Sequence, residues 1–331
     1  MAEIVLGVGS SHGPTIQSRP ERWPELGVKD VEDPRYSFED ALRSAPPGMA
    51  EQITPEKMQE RYEAIQRAID RLSDVMAEAA ADVIVVISNP HGVPPADRME
   101  PVFGIYMSES DSTIARSGHQ TSPRRRARPV QQAAERRVED YATSPELADH
   151  LMRSLIDEGI DVASCFQSHP TAGIEGPFTF PYDLFLPDRT SAAVVPFLLS
   201  RYLPHQATPA RCYEVGKAIR RSIEAWDSDK TVAIFASGGL SHQILDEELD
   251  RRVIAALLSK DAETLCYLPR EQLNRSPGTP EILNWVVLAG AMEQEDMTLI
   301  DYIPCYRSLA GTGHGVTLGY WHKGSPFTHM G

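Results

Sequence analysis

The sequence lacks the features that would cross-link a chain, anchor it in a membrane or draw it to a polyanion. Its four cysteines, Cys165, Cys212, Cys266 and Cys305, are widely spread, with no Cys-x-x-Cys pair and no secretory framework. Reduced thiols in a cytoplasmic protein are the expectation. No run approaches the roughly 18 uninterrupted apolar residues of a membrane span. The first residues, Met1-Ala2-Glu3-Ile4-Val5-Leu6, enter an apolar strand without a basic segment or cleavage site. Positive charge is also short: 32 Lys and Arg against 47 Asp and Glu give a net charge of −15. That balance repels nucleic acid and anionic lipid, so neither is an expected partner. One basic run interrupts it, Arg124-Arg125-Arg126-Ala127-Arg128 followed by Arg136-Arg137. A solvated loop explains such a run, and a lid or subunit contact that draws in an anionic substrate is the alternative.

What is present is an alternation of β-branched runs and amphipathic stretches over 331 residues. Strands are expected at residues 4–8, 83–87, 162–166, 232–235, 299–303 and 316–321, with a further apolar run at 191–199. Thr54-Pro55 and Thr208-Pro209 each pair an N-cap residue with proline at the first helical position. After Thr54, Met58, Tyr62, Ile65, Ile69, Leu72 and Met76 recur at three- and four-residue spacing and form one apolar face. Further helices are expected over 145–158 and 247–258, and from Thr279-Pro280-Glu281 onward. The expected fold is α/β, with a mixed, largely buried central sheet flanked by helices. The expected organisation is a single catalytic domain, 1–331, with irregular insertions at about 17–55 and 108–144.

Three of the ten histidines share a placement. His12, His91 and His242 each lie just beyond the end of an expected strand, where open α/β sheets bind their ligands. Glu281, in the first turn of a helix expected to be capped by Thr279, adds a carboxylate favoured there by the helix dipole. Two imidazoles and one carboxylate suit non-haem Fe(II) with open coordination positions. They equally suit a catalytic zinc with an activated water. Ligand type alone leaves iron and zinc open.

The surrounding motifs carry a resemblance. Gly9-Ser10-Ser11-His12-Gly13-Pro14, Val85-Val86-Ile87-Ser88-Asn89-Pro90-His91, Ser237-Gly238-Gly239-Leu240-Ser241-His242-Gln243 and Glu281-Ile282-Leu283-Asn284-Trp285 occur in order along nearly the whole chain. Together they resemble the class III extradiol ring-cleavage dioxygenases, and within them the catalytic β subunit of protocatechuate 4,5-dioxygenase and single-chain gallate and 3-O-methylgallate enzymes. The resemblance implies Fe(II) held by His12, His91 and Glu281, with His242 as general acid/base. The implied partners are O2 and a small catecholic, carboxylated aromatic substrate. It implies Arg307 and Ser308 near the substrate carboxylate, an arginine being suited to a bidentate grip. Two positions depart from the family pattern. Pro90 stands where an Asp often precedes the second ligand, and Ile174-Glu175-Gly176-Pro177 replaces an Asp-His-Gly stretch; His169, several residues upstream, is either the substitute histidine or a surface-loop residue beside Pro170. With lids supplied by its own insertions, the chain is expected to form a homodimer or higher homo-oligomer, without an obligatory small subunit. The rival readings are a zinc hydrolase on the same ligands and a non-catalytic binding member of the superfamily. A hydroxypyridone is the rival substrate.

Overall fold

A computed structural model describes residues 1–90, 101–107, 113–115, 140–165, 176–186, 192–201 and 203–322. His91, His169 and the Arg124–Arg128 run lie outside the described residues. Eleven strands are described: β1 (Glu3–Ser10), β2 (Val83–Ser88), β3 (Phe103–Tyr106), β4 (Thr113–Ala115), β5 (Asp140–Ala142), β6 (Ala163–Cys165), β7 (Ala193–Leu199), β8 (Thr231–Ser237), β9 (His242–Ile244), β10 (Met297–Tyr306) and β11 (Thr312–His322). Nine form one sheet in the order β10-β11-β1-β8-β2-β7-β3-β6, with β9 beside β11. Strands β4 and β5 pair separately.

The centre of the sheet is parallel, β1 with β8, β8 with β2 and β2 with β7. Towards the flanks β11 runs antiparallel to both β1 and β10, β3 runs antiparallel to β7, and the edge strand β6 is parallel to β3. The apolar runs of the parallel strands follow from burial on both faces. Val83, Val85 and Ile87 enter one core with the helices Pro209–Ala225, Glu247–Ser259 and Ile282–Ala291, while Ile84 and Val86 enter a second beneath the helix Pro55–Ala79. The expected helix starts hold: Thr54 Oγ1 accepts from Lys57 N–H and Thr208 Oγ1 from Arg211 N–H. Met58, Ile65, Ile69, Leu72 and Met76 are all buried. The mixed α/β architecture therefore stands as read from the sequence. No described helix is long and apolar enough to cross a membrane.

Residues 17–55, expected to be irregular, are largely helical, with Trp23–Val31, Phe38–Ser44 and Met49–Gln52 as short helices. Each is too short for a periodic apolar face to show in the sequence, and each is instead held by an anchor such as buried Trp23, Ala41 or Met49. One tie between this segment and the sheet is ionic. Arg307, at the end of β10, donates from Nε and Nη2 to the two carboxylate oxygens of Asp30, each at 2.6 Å. Thr312 Oγ1 adds a third bond to Asp30, at 2.6 Å.

Both members of that pair are buried, and removing one partner strands a charge in the interior. Asp30→Ala is expected to lower unfolding stability by roughly 3–5 kcal/mol. Asp149→Ala, which removes an exposed one-turn pair with Arg153, should cost less than about 1 kcal/mol. Urea unfolding of the two variants measures the contrast; equal midpoints would remove the clamp.

Candidate active site

Because β1, β2, β7 and β8 are mutually parallel, their carboxyl ends share one edge of the sheet. Ser11-His12, Asn89-Pro90, Ser200-Arg201 and Ser237-Gly238-Gly239 leave from that edge, although these segments lie far apart along the chain. Polar side chains tie the edge together. Ser88 Oγ donates to Ser237 O at 3.0 Å, Asn89 Nδ2 to Leu199 O at 2.6 Å, and Asn284 Nδ2 to Asn89 Oδ1 at 2.7 Å. Trp285 Nε1 donates to Gly238 O at 2.7 Å, which fixes the helix behind Glu281 against the glycine loop.

Glu281 is fully buried at the junction of a 3-10 turn, Thr279–Glu281, and the helix Ile282–Ala291. Thr279 makes no side-chain cap there, in contrast to the sequence expectation, because the chain enters through the tighter turn rather than through an extended N-cap. Glu281 Oε1 accepts from Arg201 Nη1 at 2.7 Å. Oε2 accepts from Gly239 N–H at 3.2 Å and faces His12 Nε2 at 3.3 Å and His242 Nε2 at 3.6 Å.

Each ring is held through its Nδ1. Ser237 donates its hydroxyl to Pro177 O at 2.7 Å, so its oxygen is left to accept from His12 Nδ1 at 3.0 Å. His242 Nδ1 lies 3.0 Å from Leu240 O, a group that only accepts. With Nδ1–H committed in both rings, Nε2 of each is the atom that faces the carboxylate oxygen. Hydrogen bonds that fix the far nitrogen are the usual support of a metal-binding histidine. Among the described residues no set of three His, Cys, Asp or Glu side chains completes a metal cage. His12 and Glu281 bring two fitting donors together, and the expected third, His91, lies outside the described residues, one step past Pro90.

Backbone shape makes the convergence possible. Gly238 and Gly239 have φ of 110° and 80°, a region that favours glycine. A Cβ on Gly238 would lie 2.3 Å from Glu281 Oε2 and 2.9 Å from His12 Cε1.

The two expected substrate residues are placed differently. Arg307 is engaged with Asp30, so the fork expected to grip a substrate carboxylate grips a protein one. Ser308 Oγ lies 2.6 Å from Thr312 Oγ1, within the same clamp.

Sequence reasoning missed Arg201 and His314. Arg201 is buried and follows β7 just as His12 follows β1. The strand-end rule that selected the histidines selects it too once extended to arginine. His314 lies near the start of β11 inside Gly313-His314-Gly315 and is paired across the ladder with His242. The two rings stack, centroids 4.7 Å apart at 26°, and His314 Nε2 donates to Gly239 O at 3.2 Å. Burial, and then the neighbouring His242, hold His314 well below the usual histidine range.

A histidine kept neutral when folded takes up its proton more readily when unfolded. Below about pH 6.5 that uptake subtracts from the stability of the folded chain, and above it this penalty vanishes. Wild type should therefore lose stability relative to His314→Gln as pH falls from 7 to 5, by up to about 1.4 kcal/mol per pH unit. Urea midpoints measured across that range check the sign; parallel curves would contradict it.

Residues 42–316 match the family described as the catalytic LigB subunit of aromatic ring-opening dioxygenase. The match takes in His91, His242 and Glu281 and begins after His12. Gallate dioxygenase of Pseudomonas putida is 29% identical over 157 residues, 44% of this chain and 45% of that enzyme. The aligned stretch thus spans less than half of that relative. With well over half of its length matched, the chain belongs to the family of catalytic LigB subunits of aromatic ring-opening dioxygenases.

Proposed function

We propose that this protein is a non-haem Fe(II) extradiol dioxygenase that opens the ring of a carboxylated catechol and incorporates both atoms of O2. The observation that carries the proposal is the convergence of His12 Nε2 and His242 Nε2 on one oxygen of buried Glu281. His12, Glu281 and His91 hold the ion in this reading. The ion supplies acidification of the diol and open positions for the diol and dioxygen.

The chain's own residues supply the rest. His242 Nε2 takes a proton from a diol hydroxyl and returns one as the ring opens, a task for which histidine is suited near neutral pH. Leu240 O holds the opposite ring nitrogen and so aims Nε2 toward Glu281. His314, stacked on His242, bars water from that face of the ring and adds no competing charge. Arg201 replaces Arg307 as the residue that meets a substrate carboxylate. It is buried at the same sheet edge, and a guanidinium carries five N–H donors, so it can hold Glu281 and a second anion together.

Oxygen uptake by the protein loaded anaerobically with Fe(II) tests the assignment on protocatechuate, gallate, 3-O-methylgallate and hydroxypyridones. Ring-opened yellow product with Fe(II) and none with Zn(II) is expected. Hydrolysis restored by zinc without oxygen would replace this reading with the hydrolase, and binding without turnover would replace it with a non-catalytic role.

Arg201→Met is expected to raise KM for a carboxylated catechol roughly ten- to hundred-fold, the scale of a charge-assisted hydrogen bond. Plain catechol should change only a few-fold. Equal changes on both, or loss of bound metal, would reject the carboxylate role.

A further inference from the structure

Behind His242 lies a buried carboxylate that the proposed reaction does not use. Asp250, in the helix Glu247–Ser259, is fully buried. Its Oδ1 accepts from Ser241 N–H at 2.8 Å, and its Oδ2 from Ser241 Oγ at 2.7 Å and from Tyr302 Oη at 2.8 Å. Ser241 Oγ in turn accepts from Asp246 N–H at 2.9 Å. Ser241 is the residue before His242, so both of its donors end on this one side chain. On the other side of the histidine, Ser276 Oγ donates to His242 O at 2.5 Å. The short strand that carries the imidazole is thus pinned at each end, and Asp250 is the inner pin.

We propose that Asp250 is a positioning residue for His242: by holding the peptide N–H and hydroxyl of Ser241 it sets the backbone from which the imidazole faces Glu281. This rests on the reading of His242 as the acid/base group. The carboxylate has no cationic partner among these bonds. Around it stand Asp246 at the helix cap, Tyr302 and Tyr306 from β10, and Gly315 of β11. Glu247 accepts from Tyr306 Oη at 2.7 Å and from Arg251 Nη2 at 2.9 Å. Arg251 itself lies over the Tyr302 ring, 5.4 Å from its centroid.

Burial lifts Asp250 to about 7, against the lowering effect of the Ser241 and Tyr302 bonds, and Asp246 adds to the rise. The consequence is directional. Protonation places a hydrogen on an oxygen that now accepts, so one of the three donors is displaced. Below neutrality the pin loosens, and above it the pin is whole.

Three variants test this. Asp250→Asn mimics the protonated acid at every pH. Its kcat is expected to fall on the order of ten-fold, the scale of one charge-assisted hydrogen bond, with KM little changed and the acid limb of the pH profile flattened. Tyr302→Phe removes a donor that favours the carboxylate, so the acid limb should move to higher pH. Ser241→Ala combined with Asp250→Asn should cost less than the sum of the two, because both act through one contact. A wild-type kcat and limb in Asp250→Asn, or an unmoved limb in Tyr302→Phe, would overturn the proposal. If Asp250→Asn does not fold, the Tyr302→Phe profile decides. If no catechol is opened at all, the dioxygenase reading fails on its own. The Ser241 amide resonance in the metal-free full chain then decides: it should report loss of its bond to Asp250 on acidification, at higher pH in Tyr302→Phe than in wild type. Identical titrations would reject Asp250.

Discussion

The burial of the Glu281 carboxylate governs the architecture around the sheet edge. A buried carboxylate is costly unless its oxygens are answered by donors or cations. Here one oxygen receives Arg201 and the other receives Gly239 N–H and faces two imidazoles. Meeting that requirement draws on the ends of three parallel strands, β1, β7 and β8, and on one helix entry. The glycine loop can come close only because Gly238 has no side chain, and the helix is fixed to that loop through Trp285. Packing and chemistry at this edge are therefore one problem. A change that enlarges Gly238 would strike the carboxylate and the first histidine together.

Much of this was legible in the sequence, for a physical reason. Strands buried on both faces write themselves as apolar runs, as at 83–87 and 232–235, and the residue that follows such a run must sit at the sheet edge. That made His12 and His242 findable, and Glu281 was marked by the turn signal Thr279-Pro280. The fold class followed from the same alternation. Thr54 and Thr208 announced their helices because capping is local, involving only a hydroxyl and an N–H three residues on.

What was not legible depended on pairings between distant residues. The pairing of Asp30 with Arg307 joins positions far apart in the chain, and neither residue carries a sign of it. Read alone, Arg307 was an arginine free to hold a ligand. His314 was hidden for another reason. It belongs to an antiparallel strand whose start, not its end, reaches the site, so the strand-end rule passes over it. The short helices between 17 and 55 escaped because one or two anchors bury each of them, and no period can be read from so few points. Arg201 was within reach, and only the restriction of the rule to histidine hid it.

Three buried carboxylates in this protein show how partner charge decides what burial does. Asp30 meets a bidentate guanidinium and serves as a clamp. Glu281 meets a guanidinium on one side and two imidazoles on the other, an arrangement in which a metal ion can take over part of the neutralisation. Asp250 meets only an amide and two hydroxyls. Neutral donors lower the cost of burying its charge without cancelling it, so its affinity for a proton rises toward neutrality while its bonds hold His242 in place. A cation beside Asp250 would make the support of His242 insensitive to pH. The hydroxyl partners leave it responsive in the range where a histidine acid/base group also works, which couples the position of that group to the conditions under which it acts.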